Sequence, residues 1–167
     1  MKVPLLKQKT NSCGTTSLRM VLSFFGKEIP ETEIIQGVGG LKSYGVKTIK
    51  LADFARSIGF NVEAYSYNRK MADDKTVIKN PEISDITKYL KKNIPVIINV
   101  RYSLLNDTEL TKDGHFIVIT GYKKGTFFFN DPDGGKERSI NEEKLRFSWF
   151  NNALDSSAYL LAVYPKK

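Results

Sequence analysis

The apolar positions in the first part of the chain repeat with the period of a helix. Four apolar side chains between residues 14 and 25 fall at i, i+3, i+4 and i+7: Leu18, Val21, Leu22 and Phe25. This spacing places them on one face of a helix. Gly26 follows at the position where helices commonly end in a left-handed residue. The pattern therefore predicts a buried first helix over residues 14–25.

The same period recurs further along the first half of the chain. Pro30 and the acidic residues after it predict a second helix, because proline fits a first helical turn and acids favour the positive end of the helix dipole. We expect that helix to end between residues 37 and 40. Residues 48–58 predict a third helix that stops at Gly59, and the alternation over residues 60–64 predicts a strand.

The apolar positions of the second half come in short runs that are typical of strands. Four predicted strands cover residues 96–100, 115–122, 126–130 and 159–164. Residues 82–92 predict a short helix. Residues 68–81 and 103–114 are polar and lack a clear period, so we expect surface loops there. Helices followed by an antiparallel sheet predict an α+β fold.

The run Lys-Lys-Gly after Tyr122 sets the register between two of these strands. Taken as a three-residue hairpin turn, it pairs Tyr122 with Thr126. Counting along this register places Asp131 opposite Ile117 and on the same face of the sheet as His115. The two polar side chains can then meet, whereas a slip of one residue would send one of them to the other face.

Composition limits the class of protein. With 167 residues, 41% of them hydrophobic, the chain can bury a sizeable core, and we expect one domain over residues 1–167. No signal peptide and no apolar run of about 18 residues is present, so we expect a cytoplasmic protein without a membrane span. One cysteine and one histidine cannot form an internal disulfide or a structural zinc cluster, and we expect no metal or organic cofactor.

The formal net charge of +8 does not identify a partner. The lysines are scattered in ones and twos rather than gathered in a basic run, which is typical of a solvated surface. No zinc finger, phosphate-binding glycine loop or aromatic RNA-binding motif is present. We therefore expect no nucleic-acid partner.

The only cysteine, Cys13, directly precedes the first predicted helix. The side chains of Thr10, Asn11 or Ser12 can cap that helix, which would leave the sulfur beside unpaired amides that stabilise a thiolate. A thiolate is the nucleophilic form of cysteine. The alternative is a small buried hydrophobic residue that happens to begin a helix. Cys13 by itself does not decide between the two.

Three other residues complete a candidate site with Cys13. His115, the only histidine, opens a predicted strand and can serve as the base, and Asp131 can orient its imidazole. The backbone N–H of Cys13 and the side-chain amide of Gln8 can supply two donors for an oxyanion. Taken singly, His115 can equally be a strand-end histidine and Asp131 an ordinary turn residue.

Several motifs in order resemble a known family. They occupy residues 3–8, 12–18, 45–51, 94–98, 114–122 and 130–132. Together they are similar to the bacterial and archaeal papain-like cysteine peptidases of family 39, which include peptidase domains of bacteriocin exporters and freestanding relatives. The resemblance runs from residue 3 to about residue 150. It implies a papain-like fold with Cys13 as nucleophile, His115 as general base and then acid, Asp131 orienting the imidazole, and Gln8 in the oxyanion hole.

Two features depart from the family pattern. Ser12 stands where an aspartate is common, which keeps a capping side chain but removes a negative charge. The chain ends at Lys167 without the membrane spans of the exporters, so we expect a freestanding relative and do not assume cleavage after a double glycine. A domain of a longer exporter stays an open alternative. We expect residues 36–44 and 103–114 to form the walls of the cleft.

The resulting prediction is a cysteine peptidase that hydrolyses a bond in a peptide or protein substrate. Two alternatives stay open. One is a peptide-binding module that keeps the fold without catalysis, although the presence of both Cys13 and His115 favours an enzyme. The other is a thiol enzyme that hydrolyses side-chain amides or transfers peptides, because that chemistry uses the same nucleophile and base.

Overall fold

A computed structural model describes residues 1–70, 72–80, 82–151 and 159–166. Within these ranges the chain forms six helices and seven strands, which confirms the α+β class. The helices are α1 (Cys13–Phe24), α2 (Glu31–Gly37), α3 (Thr48–Ser57), α4 (Ile83–Leu90), α5 (Tyr102–Asn106) and α6 (Glu142–Phe150). The strands are β1 (Phe60–Ser66), β2 (Thr76–Ile78), β3 (Val96–Arg101), β4 (Gly114–Lys123), β5 (Thr126–Asp131), β6 (Lys136–Asn141) and β7 (Leu160–Pro165).

The strands form one sheet in the order β2-β1-β7-β3-β4-β5-β6. Strand β2 runs parallel to β1, and the other described pairs are antiparallel. The antiparallel sheet predicted for the second half therefore continues, through β7, into strands of the first half. Every predicted helix and strand is present, with ends within about two residues of the prediction, which is the usual uncertainty of a boundary.

Helices cover both faces of the sheet. On one face, α1, α2 and α3 pack over Ile97 and Val118 in a first hydrophobic cluster. On the other face, α4, α5 and α6 pack over Ile98 and Ile117 in a second cluster. Neighbouring residues of β3 and β4 thus point into different clusters, which explains why these strands are apolar without alternation. None of the helices in the described ranges has both the length and the apolar character needed to cross a membrane.

The end of α1 follows the prediction. Gly26 has a φ of +77°, and its N–H donates to the carbonyl of Ser23 at 3.0 Å. The N–H of Lys27 donates to the carbonyl of Leu22, also at 3.0 Å. These two bonds form a Schellman motif, in which a glycine adopts the left-handed conformation without steric cost. The glycine therefore fixes where the helix stops.

Two predicted loops contain regular structure, so both predictions are wrong in part. Residues 68–81 include β2, while Met71 and Pro81 of that segment lie outside the described residues. Residues 103–114 begin within α5, where Leu105 is buried in the second cluster. Elements of three and five residues are too short to show a hydrophobic period, which is why the sequence pattern missed them.

The turn between β4 and β5 differs from the predicted one. Lys123 pairs with Thr126, so the turn contains two residues rather than three. Lys124 has a φ of 47° and Gly125 a φ of 79°, and two successive positive φ values are typical of a type I′ hairpin. The predicted pairing of Tyr122 with Thr126 is therefore wrong by one residue.

A β-bulge then compensates for this difference. The register shifts by one residue at Thr120, and beyond it Val118 pairs with Asn130. That pair belongs to the register that the three-residue turn predicted, and one further step brings Asp131 beside Ile117. The bulge therefore restores the predicted alignment at the end of the sheet where the candidate site residues lie.

Candidate active site

Cys13 is the first residue of α1, and its surroundings at the helix start differ from the expected cap. Ser12 is the N-cap residue, but its hydroxyl accepts no hydrogen bond from the helix backbone, so the predicted capping role is wrong. Ser12 Oγ instead accepts from the N–H of Lys9 at 2.9 Å and lies 3.2 Å from the hydroxyl of Thr16. These contacts fold residues 9–12 into a tight turn that leads into the helix and leaves the first amides of α1 without a side-chain cap.

Gly14 brings the start of α1 close to β4. A Cβ atom at this position would lie 2.6 Å from Val46 and 3.1 Å from Phe116, closer than side chains normally pack. The hydroxyl of Ser17, one turn later, donates to the carbonyl of Phe116. The helix therefore lies against the strand that carries His115, with Cys13 at the point of contact.

His115 and Asp131 lie at the same end of the sheet. His115 is the second residue of β4 and Asp131 the last residue of β5, and antiparallel strands bring these ends together. His115 Nε2 is 2.7 Å from Asp131 Oδ1, and the two residues are 3% and 1% exposed. The side chains meet on the face that the register predicted.

The thiol of Cys13 lies close enough to His115 for the two side chains to interact. Because Nε2 of the imidazole faces Asp131, Nδ1 is the ring nitrogen left for the sulfur. Burial raises the pKa of the Cys13 thiol, but the hydrogen bond and charge of His115 and the backbone bonds from Phe116 and Gly14 outweigh it. The pKa of Cys13 therefore lies below its ordinary value.

The pKa of His115 shifts in the opposite direction. Burial lowers it, but the hydrogen bonds to Asp131 and Cys13 and the negative charges of both raise it to about 9. Burial raises the pKa of Asp131, whose charged form is the carboxylate, yet His115 and then Arg138 hold it below its ordinary value. At neutral pH these shifts favour a thiolate, an imidazolium and a carboxylate in one connected row.

The backbone of Gln8 is hydrogen-bonded to the chain segment that follows Asp131. Its N–H donates to the carbonyl of Pro132 at 2.9 Å, directly after Asp131 in the chain. Its Oε1 is buried and has no hydrogen-bond partner among the described residues. The segment before Gln8 is also held, because the Asn130 amide donates to the carbonyls of Val3 and Pro4.

Two residues that the sequence pattern did not single out contact the His115–Asp131 pair. Arg138 Nη1 donates to Asp131 Oδ2 at 2.7 Å. The ring of Tyr102 packs edge-on against His115, with ring centroids 5.4 Å apart, and its hydroxyl donates to Asp133 Oδ2 at 2.8 Å. The Pro-Asp-Gly-Gly turn signal could have located Arg138, because a hairpin there brings the next strand back alongside Asp131.

The two segments predicted to form the cleft walls, residues 36–44 and 103–114, lie only partly in helices and strands. Lys42 and Gly45 exchange two backbone hydrogen bonds in a tight turn, and a Cβ at Gly45 would lie 3.1 Å from the carbonyl of Asn11. Tyr44, between them, is 64% exposed. This turn lies on the side of the site that carries Cys13. No group of three or more His, Cys, Asp or Glu side chains in the described ranges is arranged to hold a metal ion.

Solved structures share this fold. The peptidase domain of Streptococcus ComA, a bifunctional ABC transporter of a quorum-sensing pathway, has a TM-score of 0.71 at 15% identity, covering 99% of this chain and 100% of its own. A C39-like peptidase from Bacillus anthracis has a TM-score of 0.71 at 18% identity, with coverages of 99% and 96%. A double glycine motif protease from an AMS/PCAT transporter, in complex with the leader peptide, has a TM-score of 0.65 at 22% identity, with coverages of 99% and 93%. The fold is that of the papain-like C39 peptidase domains.

Sequence comparison adds the family. The uncharacterized protein YvpB of Bacillus subtilis (strain 168) is 25% identical over 162 residues. The alignment covers 83% of this chain and 65% of that relative, so the chain spans about two thirds of the relative's length. A profile of the Peptidase_C39 like family matches residues 1–154. The chain therefore belongs to the Peptidase_C39 like family, and family and fold together support a function of the cysteine peptidase kind.

Proposed function

We propose that this protein is a cysteine peptidase in which Cys13 is the nucleophile, His115 the proton carrier and Asp131 the residue that orients the imidazole. One observation carries the proposal: the helix that begins with the only cysteine of the chain packs against the strand of the only histidine, and that histidine lies 2.7 Å from the buried carboxylate of Asp131. A structural cysteine has no need of such an arrangement, whereas a thiol nucleophile requires it.

The reaction begins with the proton already on His115. The raised pKa of His115 and the lowered pKa of Cys13 favour the thiolate–imidazolium pair over the neutral pair. The Cys13 thiolate adds to the substrate carbonyl carbon, and the C=O π electrons move to the oxygen. When the tetrahedral intermediate collapses, the C–N bond breaks and the imidazolium gives its proton to the leaving amine. The product of this half-reaction is an acyl-thioester and a neutral imidazole.

Hydrolysis restores the resting pair. The neutral imidazole of His115 takes a proton from water as the water oxygen adds to the thioester carbonyl. Collapse of the second tetrahedral intermediate breaks the C–S bond and releases the acid and the Cys13 thiolate. The imidazolium keeps its proton, so the enzyme returns to the state in which it started. Asp131 stays ionised throughout and stabilises the imidazolium.

Gln8 completes the proposed site as an oxyanion donor, together with the backbone N–H of Cys13. The support is its position: its backbone is tied to Pro132, next to Asp131, and its amide is partly buried. Removing one oxyanion donor typically slows the chemical step by about 10²–10³-fold. We expect Gln8→Ala to lower kcat by that factor and to leave the alkylation rate of Cys13 unchanged.

The proposed substrate is a peptide or an unfolded protein segment. A related structure described as a double glycine motif protease holds a leader peptide, which supports a peptide ligand for this fold. Tyr44 is exposed in the turn on the Cys13 side and Tyr102 packs against His115, and we expect an extended chain to bind between these two residues.

The test is cleavage of a diverse peptide library, analysed by mass spectrometry. We expect the wild-type protein to yield products with new termini, and the variants Cys13→Ser and His115→Ala to yield none above background. Both variants should keep the near-native fluorescence of the buried Trp149, which separates loss of chemistry from loss of fold.

The same peptide library, used with a binding measurement and an added amine, distinguishes the alternatives. Equal peptide binding by the wild type and Cys13→Ser, with no cleavage by either, would reject the peptidase and favour a peptide-binding module. Products joined to an added amine, or loss of side-chain ammonia without backbone cleavage, would instead identify a transferase or an amidase. Each of these results contradicts hydrolysis of a peptide bond.

A further inference from the structure

Arg138 on β6 reaches across the hairpin to the buried carboxylate of Asp131. In the β5–β6 register Arg138 is opposite Phe129, and its guanidinium lies 5.3 Å above that ring. From there Nη1 is 2.7 Å from Asp131 Oδ2 and 2.7 Å from Asn106 Oδ1 of α5. One nitrogen therefore ties the acid of the proposed triad to a helix on the second face of the sheet.

The two oxygens of Asp131 have different partners. Oδ1 accepts from His115 Nε2 at 2.7 Å and from the N–H of Asp133 at 2.9 Å. Oδ2 is bonded to Arg138. The Asp131 side chain is 2% exposed, so an oxygen that lost this partner would be buried without compensation. The carboxylate would then rotate or take up a proton, and in either case the bond to His115 would weaken.

We propose that Arg138 is a positioning residue for the peptidase reaction, which holds Asp131 in the orientation that supports the His115 imidazolium. This inference rests on the proposed function, because it assigns Arg138 a part in the same site. Arg138 acts through Asp131 and does not itself touch the substrate. An isolated surface ion pair has no such effect, since it contributes little and leaves its neighbours unchanged.

The charged and titratable groups around Asp131 come from several elements. His115 faces it from β4, Arg138 from β6 and Tyr102 from α5, while Asp133 in the following turn accepts the hydroxyl of Tyr102. Loss of the guanidinium removes a positive charge and an orienting bond together. Both changes disfavour the Cys13 thiolate, the first by charge and the second by weakening the imidazolium beside the sulfur. The acid limb of Cys13 reactivity must therefore move to higher pH.

Replacing Arg138 is compatible with the fold. The guanidinium borders a cavity of about 200 Å³ that Leu105 and Lys144 also line, and its side chain is 32% exposed. A shorter side chain enlarges this cavity rather than opening a new void in the core. Lys136 offers a matched control, because it stands opposite Asp131 in the register, is exposed, and carries the same charge on the same strand.

The experiment measures the rate of Cys13 alkylation by iodoacetamide from pH 5 to pH 9 in the wild type, Arg138→Gln, Arg138→Lys and Lys136→Gln. We expect Arg138→Gln to react about tenfold more slowly than the wild type at pH 6, which corresponds to a shift of about one pH unit in the acid limb. Arg138→Lys keeps the charge and should fall between the two. Lys136→Gln should stay within about twofold of the wild type.

A second readout follows the only histidine directly by NMR. A proton held between His115 Nε2 and Asp131 resonates far downfield, and we expect that signal in the wild type and Lys136→Gln but not in Arg138→Gln. A structural role alone would not remove it from a folded protein. If Arg138→Gln does not fold, Arg138→Lys decides, and a rate and a signal equal to those of the wild type would overturn the proposal.

The outcomes separate this inference from the proposed function. A wild-type thiol with an ordinary acid limb near pH ~8.5 would reject the activated Cys13–His115 pair and with it the peptidase. An activated wild type whose profile is unchanged in Arg138→Gln, or equally changed in Lys136→Gln, would reject only the role of Arg138.

Discussion

Replacing Cys13 with alanine removes one of the two groups that hold a proton on His115. Burial lowers the pKa of His115, but Asp131 and Cys13 raise it to about 9, against ~6.5 in an unfolded chain. A raised folded pKa stabilises the fold below pH ~6.5, and that contribution is lost as the pH rises through about 9. The lowered pKa of the thiol acts in the opposite sense, since its contribution is present above pH ~8.5 and is lost as the pH falls.

In the wild type the two contributions cancel between about pH 6.5 and pH 8.5. The unfolded pair carries one proton on the thiol and the folded pair carries one on His115, so unfolding changes the number of bound protons by about zero. In Cys13→Ala only the imidazole titrates, and the folded protein holds a proton that the unfolded chain lacks. The free energy of unfolding of this variant must therefore decrease as the pH rises through the same window.

The size of the decrease follows from the shift of the His115 pKa. A change from ~6.5 to about 9 corresponds to about 3 kcal/mol at ~1.4 kcal/mol per unit, which is an upper limit because alanine removes the share of the shift that the thiolate supplies. We expect a loss of about 1 to 3 kcal/mol in Cys13→Ala between pH ~6.5 and ~9. Other titrating groups contribute equally to both proteins and cancel in the difference.

Urea unfolding at constant ionic strength, with a reducing agent, measures this difference. Trp149 is the only tryptophan and is fully buried, so its fluorescence reports loss of the fold. Cys13→Ser provides a control that keeps the size of the side chain without a group that ionises in this range, and it should show the same pH slope as Cys13→Ala. A difference between wild type and both variants that stays constant with pH would refute the reasoning, because His115 would then hold no extra proton in the fold.

Three further predictions concern stability and the frame of the site. Tyr89→Phe removes a buried hydroxyl that lies 2.6 Å from Glu63 and should lower the free energy of unfolding by about 2 kcal/mol in urea denaturation. Gly125→Ala forces a side chain into a φ of 79° with no steric clash, and it should cost about 1–2 kcal/mol in the same assay through backbone strain alone. Asn130→Ala frees the carbonyls of Val3 and Pro4 and should destabilise the fold by about 1–2 kcal/mol, while the alkylation rate of Cys13 stays unchanged because the bonds of Cys13 and His115 remain. A slower alkylation in Asn130→Ala would contradict this separation.

The hairpin between β4 and β5 illustrates how far the sequence can predict the site. A run of apolar residues and a turn that contains a glycine are enough to predict that Asp131 lies beside Ile117. The predicted turn is one residue longer than the actual one and the prediction contains no bulge at Thr120, and these two differences cancel. A bulge leaves no hydrophobic signature, because it only changes which backbone groups are paired.

The sequence pattern does not predict strand β6 or helix α6, and the reason is different. In β6 Ile140 is the only buried residue, and charged side chains dominate the rest, as is typical of an edge strand. In α6 Leu145 and Trp149 are buried, but apolar residues also lie on the outer face, where Phe147 is exposed. Neither pattern shows a clean period, so the only sequence signal for the position of Arg138 is the glycine turn that precedes β6.

The three groups of the candidate site are anchored in different layers of the molecule. Cys13 is the first residue of α1 and packs against the first hydrophobic cluster, while Phe129 and Ile117, each two residues along the strand from Asp131 and His115, belong to the second. The thiol and the imidazole therefore meet only as long as the two layers keep their alignment across the sheet. The rate at which Cys13 reacts consequently reports on that alignment. If the helices of the first layer loosened, this rate would fall before the chain as a whole unfolds.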